Sequence, residues 1–123
     1  MAAPNSTSTV NVTLPAGNLS LIETIKVNLG TIAGILTVTT TEITFSGLVS
    51  GIQVGDVILS VSKPTAQAGL GIVGWRVDSA AADKFYVTYV NPTAGTVTPT
   101  ASEVYTITVA RMTQSNTSLT ALV

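Results

Sequence analysis

Four short runs between Val57 and Arg111 constrain this chain most, because each carries apolar residues at every second position. Val57-Ile58-Leu59-Ser60-Val61, Val73-Gly74-Trp75-Arg76-Val77, Phe85-Tyr86-Val87-Thr88-Tyr89 and Tyr105-Thr106-Ile107-Thr108-Val109 share this pattern. A period of two lines one face of a pleated strand, whereas a helical stripe needs a period near 3.6. β-branched and aromatic residues dominate the runs, which suits a half-buried sheet surface. Pro64 stops the first run, since proline supplies no ladder donor. Read in phase, Val57, Leu59 and Val61 share one face, and so do Val73, Trp75 and Val77.

Upstream the same alternation recurs. Val10, Val12 and Leu14 predict a short strand stopped by Pro15-Ala16-Gly17-Asn18, and Ile25, Val27 and Leu29 predict a second. Leu36 and Val38, followed by Ile43 and Phe45, predict a strand pair turning near Thr40-Thr41. Gly47 to Asp56 reads as a loop, and Asp78 to Lys84 as a connection with room for one helical turn. The sum is about eight short strands and no amphipathic helix. The expected fold is all-β: an antiparallel β-sandwich or small barrel with extended terminal arms. Residues 1–20 form an N-terminal arm with a short strand, 21–111 the sandwich, and 112–123 a C-terminal tail. Ala2 to Thr9, built of Ala, Pro, Asn, Ser and Thr, reads as the extended part of that arm.

Composition narrows the function classes. Only 9% of the 123 residues are charged and 46% are hydrophobic, with mean hydropathy +0.53. A soluble monomer carries about 25% charged residues. Either the surface is rich in hydroxyl groups, or much of it is buried against other chains; the low charge favours the second. A net charge of −1 gives no basic field for nucleic acid or anionic lipid. Cysteine and histidine are both absent, which removes thiolate chemistry and the commonest general base and metal ligand. No apolar run reaches the ~18 residues that span a bilayer. Met1 to Thr9 lacks the pattern of a secretory signal, so synthesis in the cytosol is expected.

Each motif with chemical meaning has a plainer reading. Gly69-x-Gly71-x-x-Gly74 matches a dinucleotide fingerprint in letters, but it leads into strand residues where that mechanism needs a helix. Its expected use is a loop crossing close to another backbone. Asp56, Asp78 and Asp83 have no calcium-loop spacing and read as turn residues. Glu23, Glu42 and Glu103 read as strand-end charges that discourage stray pairing. No Gly-x-Ser-x-Gly elbow exists, so neither an enzyme nor a cofactor is expected. Lys63 and Arg76 would suit an acidic partner. Trp75 is either a core anchor or an interface hot spot, and its apolar neighbours in phase favour the core.

The run Val61-Ser62-Lys63-Pro64-Thr65-Ala66-Gln67-Ala68-Gly69-Leu70-Gly71-Ile72-Val73 resembles small structural proteins of tailed bacteriophages. So do Tyr89-Val90-Asn91-Pro92-Thr93-Ala94-Gly95, Thr98-Pro99-Thr100 and Tyr105 to Val109, together with Gly47-Leu48 and Val54-Gly55-Asp56-Val57. Within that group the chain is most similar to capsid decoration, or cement, proteins, which are β-rich, often trimeric and seated on the outer head shell. The resemblance implies a virion protein on the capsid surface, assembled in the host cytoplasm. Its partners would be the major capsid protein and its own copies as a homotrimer, and its task would be capsid stabilisation. Candidate interface residues are Lys63, Gln67, Leu70, Trp75 and Arg76. A tail, neck or fibre-base protein is the alternative, with a carbohydrate-binding β-sandwich behind it; the latter needs exposed aromatic platforms, and only 5% of residues are aromatic.

Overall fold

The period-two runs become the facing layers of a β-sandwich. The computed structural model describes residues 6–12 and 19–112, with side chains from Ile22 to Arg111. Seven strands follow in order: β1 (Ser6–Val12), β2 (Leu19–Asn28), β3 (Thr39–Ser46), β4 (Val57–Ser62), β5 (Gly71–Val77), β6 (Lys84–Asn91) and β7 (Val104–Met112). One sheet has the order β1-β2-β7-β4 and the other β3-β6-β5. Every pairing is antiparallel. Strands β2, β7 and β4 lie over β3, β6 and β5, and β1 extends the first sheet beyond β2.

Alternation fills the core as expected. Phe85, Val87 and Tyr89 of β6 and Tyr105, Ile107 and Val109 of β7 are all buried, with Ile25 and Val27 from β2 and Ile58 from β4 beside them. Phe45 stacks on Phe85 with ring centroids 5.3 Å apart. The loops contribute Leu29, Ile32, Ile35, Val49 and Ile52 to the same cluster. Each such side chain stabilises the fold by about 1.5–3 kcal/mol through removal from water.

Three expectations give way. The described residues form seven strands, in keeping with the about eight expected, but Leu36 and Val38 form none of them; among the described residues, only Ile35 bridges, to Val97. Val38 takes a positive φ of 49° and is 74% exposed, and Thr39 Oγ1 donates to Leu36 O, closing a turn. Asp78 to Lys84 holds no helical turn. There the Asp78 carboxylate accepts from Ala80 N, Ala81 N and the Tyr86 hydroxyl, and a turn at Asp83 (φ 59°) feeds β6.

The third concerns facing. Leu59 does not share a face with Val61, nor Val73 with Trp75 and Val77, because Leu59 and Val73 are each the extra residue of a β-bulge. The ladder runs Ile58↔Val109 then Ser60↔Thr108 in β4, and Ile72↔Tyr89 then Gly74↔Thr88 in β5. A bulge shifts the alternation by one, so Ile58 and Val61 both face inward while Val57 and Leu59 stay about half exposed. Strand β1 also takes Ser6 to Thr9 of the arm into the sheet. Leu14, Met1 to Asn5 and residues 113–123 lie outside the described residues.

Candidate interaction surface

With the core residues of β2, β7 and β4 turned inward, the register decides what the outer face of that sheet presents. Across it lie Thr24↔Thr108, Lys26↔Thr106 and Asn28↔Val104, continued on β4 by Ser60 opposite Thr108 and Ser62 opposite Thr106. Val57 and Val104 stand at the ends of this face, 51% and 47% exposed. Among the described side chains, Lys26 is its one charged group. The face is thus a nearly neutral plane of hydroxyl and aliphatic groups.

Charge is scarce there because the chain uses most of it internally. Of the five basic residues, Lys63, Arg76 and Arg111 form ion pairs within the molecule. Arg111 grips Asp56 through Nε (2.9 Å) and Nη2 (2.7 Å) and also donates to Gly51 O. The Asp56 side chain is 3% exposed, and the carboxylate pushes the Arg111 pKa up. This ties the Gly47–Asp56 loop to the end of β7. Asp83 holds the same loop from the other sheet by accepting from Gly51 N at 2.7 Å.

The five candidate interface residues are not gathered in one patch. Lys63 Nζ lies 2.8 Å from Glu103 Oε1 and donates to Thr65 O at 3.0 Å, while Thr65 Oγ1 donates to Glu103 Oε2 at 2.5 Å. Only 9% and 10% of the Lys63 and Glu103 side chains is exposed, and the ammonium and the Thr65 hydroxyl pull the Glu103 pKa down. Gln67 Nε2 donates to Thr98 O (2.6 Å), and its Oε1 accepts from Thr100 N (3.1 Å). Both side chains therefore stitch the β4–β5 loop to the segment before β7. Leu70, half-buried, packs against the core and lines a shallow cavity of about 210 Å³ with Lys63, Gln67 and Ile72. Trp75 also packs against the core, and its Nε1 donates to Ile58 O at 3.0 Å, bridging the two sheets.

Arg76 alone of the five is exposed. It reaches across β6, with its guanidinium 3.8 Å from the Tyr86 ring centroid, to a two-point pair with Glu42 at 2.8 and 2.9 Å. That pair lowers the Glu42 pKa, chiefly through the hydrogen bond.

The remaining motifs resolve into structure. Gly69 (φ 77°) is needed because a Cβ there would meet Thr93 Cγ2 at 2.6 Å, and Gly71 would press on Val90. The glycine series is a crossing loop leading into β5. Asp56, Asp78 and Asp83 are separate turn residues, and no group of three or more potential metal-ligating side chains converges among the described residues. Phe45, Phe85, Tyr89 and Tyr105 are buried, Trp75 and Tyr86 half-buried, so the fold offers no exposed aromatic platform. Asn91, which carried no sequence signal beyond its place before Pro92, is fully buried with every polar group engaged. The chain matches no family model, no curated protein and no solved structure.

Proposed function

We propose that this chain is a non-enzymatic virion structural protein of a tailed bacteriophage: a capsid decoration protein that sits on the outer head shell and stabilises it. The observation that carries this reading is the outer face of the β1-β2-β7-β4 sheet. Thr24, Thr106, Thr108, Ser60 and Ser62 with Val57 and Val104, and Lys26 as the one described charge, form a surface that loses less on desolvation than a charged one when its hydroxyl groups find hydrogen-bond partners on another protein. Burial of charged groups would cost far more, and the ion pairs made inside the chain keep them off this face. The major capsid protein is the partner this role requires, with further copies of the chain completing the homotrimer that the resemblance implies. Repetition over a shell lets many modest contacts act together.

The test is a cryo-EM map of the assembled particle, with the wild-type chain and with Thr108→Glu, which puts a charge at the middle of the face. Density on the outer head surface, lost with Thr108→Glu while the variant stays folded in solution, is the expected result. Density on the tail, neck or fibre base, or none on the particle, overturns the assignment.

A further inference from the structure

Four strands lie at sheet edges, and they are not alike. β1, β4 and β5 each carry a bulge, between Ser8 and Val10, Ile58 and Ser60, and Ile72 and Gly74. On the β4–β5 side the Trp75 indole also occupies the Ile58 carbonyl. Bulges and covered carbonyls are the means by which sheets blunt their edges. β3 has neither: its eight residues pair with β6 without interruption from Thr39↔Asn91 to Ser46↔Lys84. It contains no proline and no lysine, and among the described residues no backbone group outside β6 pairs with it. Its single charge, Glu42, is drawn by Arg76 across the sheet and away from the edge.

We infer that β3 is a self-pairing edge, taking the β3 of a second copy antiparallel so that two three-stranded sheets join into one. The sequence Thr39-Thr40-Thr41-Glu42-Ile43-Thr44-Phe45-Ser46 specifies the register. Centred on Ile43, an antiparallel pair sets Glu42 of one copy opposite Thr44 of the other and Thr40 opposite Ser46. On the inner face Ile43 meets Ile43 and Thr41 meets Phe45. No like charges face each other, whereas centring on Glu42 would oppose two carboxylates. Ile43 is only partly covered in the single chain, so the pairing also removes apolar surface from water. The occupant is a second copy rather than an unrelated strand, because the same residues satisfy both sides of the two-fold contact. The inference does not depend on the virion role, and on a shell it would link neighbouring trimers.

One strand pair is a small interface, so association is weak and visible at high concentration. The test is sedimentation velocity of the full chain from low micromolar to millimolar concentration, with hydrogen exchange of the β3 amides at both ends of that range. Expected are a doubling of mass with concentration and slower exchange along β3. Ile43→Lys turns a charge inward at the edge and opposes it to its own copy; it should weaken association at least ~tenfold. Thr44→Lys, placed opposite Glu42 of the second copy, should retain or strengthen it. Should Ile43→Lys fail to fold, Thr41→Lys asks the same question, and the wild-type exchange data stand without either. A monomer throughout the range, or a dimer whose β3 amides exchange no more slowly and whose mass ignores Ile43→Lys, overturns the inference.

Discussion

Asn91 offers the sharpest quantitative test of how the loops are held. It is 0% exposed at the end of β6, and its side chain makes four hydrogen bonds. Nδ2 donates to Ile35 O and to Gly95 O, both at 2.8 Å, while Oδ1 accepts from Thr93 N (2.9 Å) and Thr93 Oγ1 (2.6 Å). Asn91→Ala deletes all four, but the losses are unequal. Ile35 O keeps the amide of Val97 at 3.0 Å, and Gly95 O keeps the Thr93 hydroxyl at 2.9 Å. Thr93 N is left without its acceptor. Each net hydrogen bond is worth about 1 kcal/mol and an unsatisfied buried group costs about 1–3 kcal/mol, so the sum is roughly 2–4 kcal/mol. Against a folding free energy of about 5–15 kcal/mol that is a large fraction. Urea denaturation measures the total, and hydrogen exchange at the paired Ile35 and Val97 amides reads the local loosening. Asn91→Asp separates shape from donors: it keeps the acceptor toward Thr93 but aims a carboxylate at two carbonyl oxygens. Its deficit should exceed that of Asn91→Ala at neutral pH and shrink on acidification, when the protonated acid can donate. An Asn91→Ala protein within about 0.5 kcal/mol of wild type would refute the reasoning, since surface changes stay inside that limit.

Two further predictions rest on paired hydroxyl groups. Tyr89 and Tyr105 are both 0% exposed with hydroxyl oxygens 3.1 Å apart, and burial pushes both phenol pKa values up. Tyr89→Phe or Tyr105→Phe alone should cost about 1–2 kcal/mol by stranding its partner, while the double variant should cost no more than the worse single one; a thermal-melt double-mutant cycle decides. Asp78 is held down to about 2 from an ordinary 3.8, first by the Tyr86 hydroxyl and then by the Ala80 and Ala81 amides. Because the folded value is depressed, its contribution is complete above the ordinary value and disappears as pH falls through about 2. Tyr86→Phe should raise the Asp78 pKa in a carboxyl NMR titration and shift the acid-unfolding midpoint to higher pH; an unchanged titration would show that the hydroxyl is not the main cause.

Fold class was legible because period-two burial is local: Phe85, Val87 and Tyr89, or Tyr105, Ile107 and Val109, announce their face within five residues. The exceptions are places where one residue breaks the phase. Leu59 and Val73 fit the alternation by letter, but each is an extra residue of a bulge; Gly74 beside Val73 is a residue that marks such insertions, whereas nothing adjacent to Leu59 in sequence signals its own. Val38 looks like strand and takes a positive φ because the turn toward β3 is held by Thr37 on Thr93 O, far along the chain. The surface was less legible for the same reason. Lys63 and Gln67 look like free polar groups, but their partners, Glu103 and Thr98, come from the other end of the domain. The neutral outer face could be foreseen as scarcity of charge but not located, since its location depends on which sheet β2, β4 and β7 share.

The lone tryptophan stands where the two layers touch, its indole N–H hooked onto a carbonyl of the opposite sheet. Its emission is consequently a gauge of layer separation, whereas backbone circular dichroism follows the ladders within each layer. Were the sandwich ever to part before its ladders melt, during assembly or under load, the fluorescence would redden while the dichroism held steady. A native chromophore thus makes an opened intermediate visible without any label.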